Sequence, residues 1–343
     1  MADDARGSGH HETDGTHRVL ARARELADDV LFPGGLIVDR SDVVPATRLD
    51  LLAEAGLYGT VGPVEYGGLD CPAPVLASLV EVLASGCLTT TFVWVQHHRI
   101  VRALAASDDD ALRRRWLPGL CSGQVRAGVV FTGLIPGEPR LRARRTTRGW
   151  RLDGAADWVS GWGRVDVLLV LARGPGDTLL SLIVDAAPQS GLHVERRSLV
   201  AVNASVTVTL RFDGVRVAPD RLVSSVPFVP SAHTDWRVLR TNGSLALGVA
   251  GRACRLLGPS ALDDALAARR AQLDEATEDG MADARAAASA FAVRATSALM
   301  VHEGSRSVAA DHHAQRLARE ALVLLVFGSR PAIKTALADR LIG

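Results

Sequence analysis

The chain reads as an α+β protein with an N-terminal α-helical domain, a central β-barrel or sandwich domain and a C-terminal α-helical bundle. Two observations predict this. Apolar residues recur at three- and four-residue spacing over 16–123 and again from 229 to 343, and between them, over 124–228, the period changes to two. The segment 1–15 is polar, carries Gly, His and Asp, and is expected to be a disordered tail.

In the first helical stretch the spacing is carried by Val19, Ala23, Leu26 and Val30, and by Leu76, Leu79, Val80 and Leu83. Breaks at Phe32-Pro33-Gly34-Gly35, Gly62-Pro63, Gly67-Gly68 and Asp108-Asp109-Asp110 divide it into roughly four or five helices, the Asp run suiting a helix start. The alternating runs Trp150-Arg151-Leu152-Asp153, Val165 to Ala172, Leu179 to Asp185 and Val206 to Phe212 imply about seven or eight strands. Ala-rich helical runs then follow at Ser244 to Leu257, Met281 to Val301 and Ala314 to Val326.

Composition narrows the function. With 343 residues, 48% hydrophobic, 22% charged and a net charge of +1, the chain can bury a large core but lacks the cationic surplus that holds nucleic acid. Lys334 is the sole lysine, an imbalance in favour of Arg that coding bias explains. Cys71, Cys87, Cys121 and Cys254 have no metal-ligand spacing and are expected to be free thiols. The first residues lack the apolar run of a signal peptide or membrane span, so a cytoplasmic protein acting on a small molecule or beside another subunit is expected.

Several segments, taken in order, resemble the acyl-CoA dehydrogenase superfamily. Leu51 to Gly59 followed by Pro63-Val64-Glu65-Tyr66-Gly67-Gly68-Leu69 is similar to that family's "PEEYGG" region, and Trp116-Leu117-Pro118-Gly119-Leu120 to its entry into the β domain. Leu210-Arg211-Phe212-Asp213-Gly214-Val215-Arg216-Val217 resembles "FDDVRVPAENLL", and Leu247-Gly248-Val249-Ala250 opens the last domain. The resemblance implies FAD as cofactor, an acyl-CoA or related acyl thioester as substrate, and a homodimer or tetramer, or a hetero-oligomer with a homologue.

An isoalloxazine ring needs an apolar wall and hydrogen-bond partners near its polar edge. The resemblance assigns these to Phe131-Thr132 and Trp158-Val159-Ser160, with Trp158 beside the ring and Thr132 and Ser160 bonding it. It places an arginine for the FAD diphosphate at Arg269 or Arg270, and sets Gln96, His97 and His98 on a helix lining the acyl pocket. Adjacent helical positions point about 100° apart, so only one of the two histidines is expected to face the ring.

Three departures stand out. Gly133 to Arg140 replaces the family's "EPGAGSD", and the Gly-rich turn of the last, shorter domain is reduced to Glu303-Gly304-Ser305. Aligning Arg319-Glu320-Ala321 with "RDA" puts Gly328 where the catalytic glutamate stands; a shift of one gives Phe327, and the rarer location falls near Val238. None can take a proton. Asp235 and Glu320 are the neighbouring carboxylates, read as helix-end or salt-bridging groups. The alternatives are a flavin-dependent monooxygenase in which His97 or His98 acts with Ser160, and a non-catalytic subunit.

Overall fold

A computed structural model describes residues 7–230, 236–328 and 330–342; the side chains of 7–14 and 237 are outside that description. Among the described residues six α-helices come first, where four or five were expected: α1 (Gly7–Glu25), α2 (Gly35–Arg40), α3 (Ala46–Glu54), α4 (Ala73–Gly86), α5 (Leu88–Ala105) and α6 (Asp110–Ser122). A π-helical turn, Leu26–Leu31, prolongs α1. Helix α1 begins at Gly7, inside the segment expected to be a tail. Its last turns are docked through Val19, Ala23 and Leu26, and extending an existing helix costs far less than nucleating one. Asp109 caps α6 by accepting from the amides of Ala111 and Leu112, the start predicted from the Asp run.

Eight strands follow in one mixed sheet: β1 (Ala127–Val130), β2 (Leu141–Thr146), β3 (Gly149–Val159), β4 (Val167–Arg173), β5 (Thr178–Asp185), β6 (Leu192–Arg196), β7 (Val208–Val217) and β8 (Leu222–Pro227). The order is β6-β7-β3-β2-β4-β5-β8, and β1 pairs with β4 in parallel. Every residue of β4 is buried, and the period of two sorts its side chains into two cores. Val167, Leu169 and Leu171 face the helical layer, together with Val129 and Ile183. Leu168, Val170 and Ala172 face a second core built from the strands and their adjoining loops, with Leu152, Leu180 and Leu210.

The described residues then form five more helices, α7 (Trp236–Leu257), α8 (Ala261–Glu275), α9 (Met281–Glu303), α10 (His313–Val326) and α11 (Pro331–Ile342). Helix α7 lies between α4 and α9. Its Gly248 makes the approach to α4 possible, since a Cβ there would fall 2.3 Å from the Glu81 carbonyl oxygen. None of the four cysteines is in a disulfide; Cys71 is half-buried and the others are buried. No helix of the described residues is long and apolar enough to cross a membrane, and no cluster of possible metal ligands occurs among them.

His97 and His98 turn out to be core residues, 1% and 2% exposed. His97 Nδ1 accepts from the Ala127 amide at 3.1 Å, so Nε2–H is left to donate to the Leu120 carbonyl at 3.1 Å. One imidazole thus ties α5 to the end of α6 and the start of β1. Protonation would set Nδ1–H against an N–H, and burial, the neighbouring His98 and Arg126 hold the ring's pKa well below the usual histidine value. His98 Nε2 donates to the Leu57 carbonyl at 3.2 Å, its ring edge-on to Trp94, and burial lowers its pKa to about 4. Neither ring faces outward, because both belong to the buried side of α5.

These rings make stability depend on pH in a definite direction. A histidine whose folded pKa lies below its unfolded value stabilises fully above about 6.5 and loses that contribution as pH falls towards the folded value. Denaturant unfolding should therefore show stability dropping between pH 7 and pH 4, with His98 alone contributing on the order of 3 kcal/mol. His98→Gln, which keeps a donor for Leu57, should flatten the profile. An unchanged slope would mean that His98 is not the group responsible.

Candidate functional site

The outward stripe of α5 is Phe92, Val95, Gln96 and Arg99, the side opposite His97 and His98. Two aromatic rings meet this stripe. Phe327, following α10, packs edge-on against Phe92 with centroids 4.7 Å apart, and the Arg99 guanidinium lies 6.0 Å from the Phe131 ring. Phe92 and Arg99 are seven residues apart, about 10.5 Å along the helix. Gln96 sits between them, half-buried, its amide donating to the Phe92 carbonyl at 3.1 Å.

Trp158 is the most unusual residue of the sheet. It lies in a register irregularity between Ala156 and Val159 of β3, has φ 63°, and leaves its indole 65% exposed. A non-glycine residue held in the left-handed region inside a strand carries strain, and bulges of this kind re-aim side chains. Here the bulge turns Trp158 outward. Arg197 lies 5.0 Å from the indole ring and is itself held by Asp157, whose carboxylate also receives Arg140 and Thr209. The hydrogen bonds from Arg140, Thr209 and Arg197 outweigh desolvation and lower the Asp157 pKa to about 2, so the network is ionised at any working pH.

Ser160 is buried, its hydroxyl 2.7 Å from Thr207 Oγ1, which lies 3.0 Å from Ser205 Oγ. Each hydroxyl has one proton and two lone pairs, so this chain leaves Ser160 capacity for another bond. Thr132 starts a 3-10 turn, Thr132–Leu134, after β1. Arg173 fastens that turn by donating to the carbonyls of Gly133 at 2.9 Å and Ile135 at 3.3 Å. Phe131 remains 44% exposed beside it. Two open aromatics, adjoining hydroxyls and stacked cations suit a flat, partly anionic ligand, so these residues fit a flavin.

The two candidate arginines of α8 separate. Arg270 is paired with Glu81 at 2.5 Å, whereas Arg269 is half-buried without an ion pair among the described residues. Glu320 is buried and bonded to Arg316 at 2.7 Å, a salt-bridging role. Asp235 lies outside the described residues. Val238 is half-buried in α7. Gly328 has φ 60°, and a Cβ there would meet the Asn242 amide nitrogen at 3.1 Å. The burial of His97 and His98 leaves an oxygenating role for either without access to a ligand.

Arg99, Arg197, Arg173 and Arg285 are the contributors that sequence reading passed over. Arg285, 1% exposed, donates to the Leu324 and Phe327 carbonyls at 3.1 and 3.5 Å, capping α10 where the chain turns into Phe327-Gly328. Burial lowers its pKa to about 10, which still leaves it charged. Nothing in an Arg-rich sequence distinguishes these four from the rest.

Residues 13–124 match the family described as Acyl-CoA dehydrogenase, N-terminal domain. The chain is 25% identical over 204 residues to (2S)-methylsuccinyl-CoA dehydrogenase of Cereibacter sphaeroides, covering 54% of this chain and 37% of that protein. It is 25% identical over 225 residues to 3-sulfinopropanoyl-CoA desulfinase of Paraburkholderia xenovorans (strain LB400), covering 62% and 57%. The matches thus span only part of those relatives' lengths. Butyryl-CoA dehydrogenase of Megasphaera elsdenii has the same fold, with a TM-score of 0.78 at 16% identity over 96% of this chain and 98% of that one. An acyl-CoA dehydrogenase of Geobacillus kaustophilus gives 0.79 at 16%, over 99% and 100%. Residues 13–124 thus match the N-terminal domain of the acyl-CoA dehydrogenase family, and the domain order and strand topology give the chain the fold of that superfamily.

Proposed function

We propose that the chain is an FAD-dependent oxidoreductase acting on an acyl thioester such as an acyl-CoA, without the glutamate its relatives use as base. The observation that carries this reading is Trp158, an indole set outward by a strained bulge beside Ser160 and Arg197. Strain of that kind persists only where surrounding structure maintains it, and here Asp157 and its three partners do so.

Phe131 and Trp158 would hold the isoalloxazine ring, Thr132 and Ser160 would bond its polar edge, and Arg269 would face the diphosphate. Bound there, the flavin supplies hydride acceptance. The acyl group would lie along Phe92, Gln96 and Phe327, where apolar walls exclude water. At the turn after α10, Gly328 and the Asn242 carboxamide offer hydrogen-bond donors and no proton acceptor of useful pKa. A homodimer or tetramer, or pairing with a complete homologue, is part of the same reading. If the chain never takes up FAD at saturation, the non-catalytic subunit replaces it.

Trp158→Ala and Ser160→Ala should each lower FAD retention or shift the flavin absorption bands while the far-ultraviolet circular dichroism stays that of the parent. Flavin content and spectrum unchanged in both would take the ring away from this place.

The missing base has its own test. Anaerobic titration with acyl-CoAs of several lengths should bleach the flavin of the unmodified protein slowly. Gly328→Glu carries backbone strain and crowds Asn242, so it is best combined with Asn242→Ala. The double variant should bleach about 10²-fold faster or more. Fast bleaching by the parent would reveal a base elsewhere.

A further inference from the structure

On the outer face of the sheet, at the far end of β3 from Trp158, three arginines stand in one cross-strand row. Arg144 of β2 is opposite Arg151 of β3, which is opposite Arg216 of β7. Like charges directly opposed across strands destabilise a sheet, and adjacent strands are only about 4.8 Å apart. Nothing within the fold offsets the outer two: Arg144 and Arg216 are exposed and have no ion pair among the described residues. Arg151 and Trp158 are seven positions apart on β3, about 23 Å, so the row is distinct from the candidate flavin site.

The row is built rather than scattered. Arg151 is fixed by Asp153, with Nε 3.1 Å from Oδ2 and Nη2 3.1 Å from Oδ1. Its guanidinium lies over Gly214, where a Cβ would come within 3.2 Å of the guanidinium carbon, and Gly214 has φ 71°. Gly214 is the extra residue of a bulge, since Leu152 pairs with Val215 and Asp153 with Asp213. That one-residue offset brings Arg216 level with Arg151. Arg151 and Arg216 of the row line a depression of about 480 Å³, together with Thr146, Thr147, Arg148 and Asp213, and Arg144 stands opposite Arg151 on the next strand.

We infer that this depression binds a phosphorylated small molecule through two or more phosphate groups. Planar guanidinium forks carried on adjacent strands, whose backbones lie about 4.8 Å apart, suit successive phosphate groups, and the neighbouring threonine hydroxyls add donors. The concavity favours a compact ligand over a flat protein surface. The site stands independently of the function proposed above.

Calorimetric titration of the full chain with inorganic pyrophosphate and with ADP, at physiological ionic strength, tests it. Pyrophosphate should bind, and Arg144→Gln with Arg216→Gln should weaken it at least about tenfold. Gly214→Ala should weaken it as well. Arg211→Gln, on the same face of β7 outside the depression, should leave it nearly unchanged. Tighter binding of ADP would identify a nucleotide, and equal binding a phosphate site alone; either supports the inference. No binding of either probe, equal weakening by Arg211→Gln, or binding of a Glu-rich peptide in place of pyrophosphate would overturn it.

Discussion

Strand β4 is the constraint on which the rest depends, because both of its faces are buried. Its hydrogen bonds run to β1, β2 and β5, so it joins the ladder at its centre while separating two cores. One core fuses the sheet to the helices, and the other lets the sheet close over itself. A polar side chain at Leu168 or Leu169 would damage one core or the other, since neither face has water to turn to.

Helix α5 is held against β1 by that arrangement, and His97 makes the connection specific. Its two ring nitrogens bond a helix-end carbonyl and a strand-start amide, a pair of roles that a neutral imidazole fills and an imidazolium cannot. With one side of α5 committed in this way, the opposite side faces Phe131 and Phe327. The position of α10 depends on buried Arg285, which gathers carbonyls at its C-terminus. The candidate site is therefore assembled from three regions of the chain, each held by a buried polar group.

The sheet places two features at opposite ends of β3, and each arises from an irregularity in its pairing with β7. Near Val159 the bulge exposes an indole. Near Leu152 the bulge at Gly214 brings three arginines level across adjacent strands. In both cases an extra residue changes which side chains share a face, which regular alternation cannot do. Both positions gain cations: Arg197 over Trp158, and Arg144 and Arg216 beside Arg151.

The periodicities of three to four and of two determined the order of helices and strands, because burial of one face leaves its repeat in the residues themselves. Ordered short segments were enough to point to the acyl-CoA dehydrogenase fold, and Gly328 could be set against the family's glutamate only by aligning such segments. Which way α5 turns was not. His97 and His98 are adjacent on a helix with Gln96, and only packing against Leu57, Leu120 and Ala127 decides that the histidines go inward. The bulges at Trp158 and Gly214 leave no periodic trace, and the roles of Arg197, Arg285 and Arg216 depend on partners remote in sequence. Residue type and local repeat thus settled the architecture, while register and long-range contact decided which of many similar side chains come together at the candidate site.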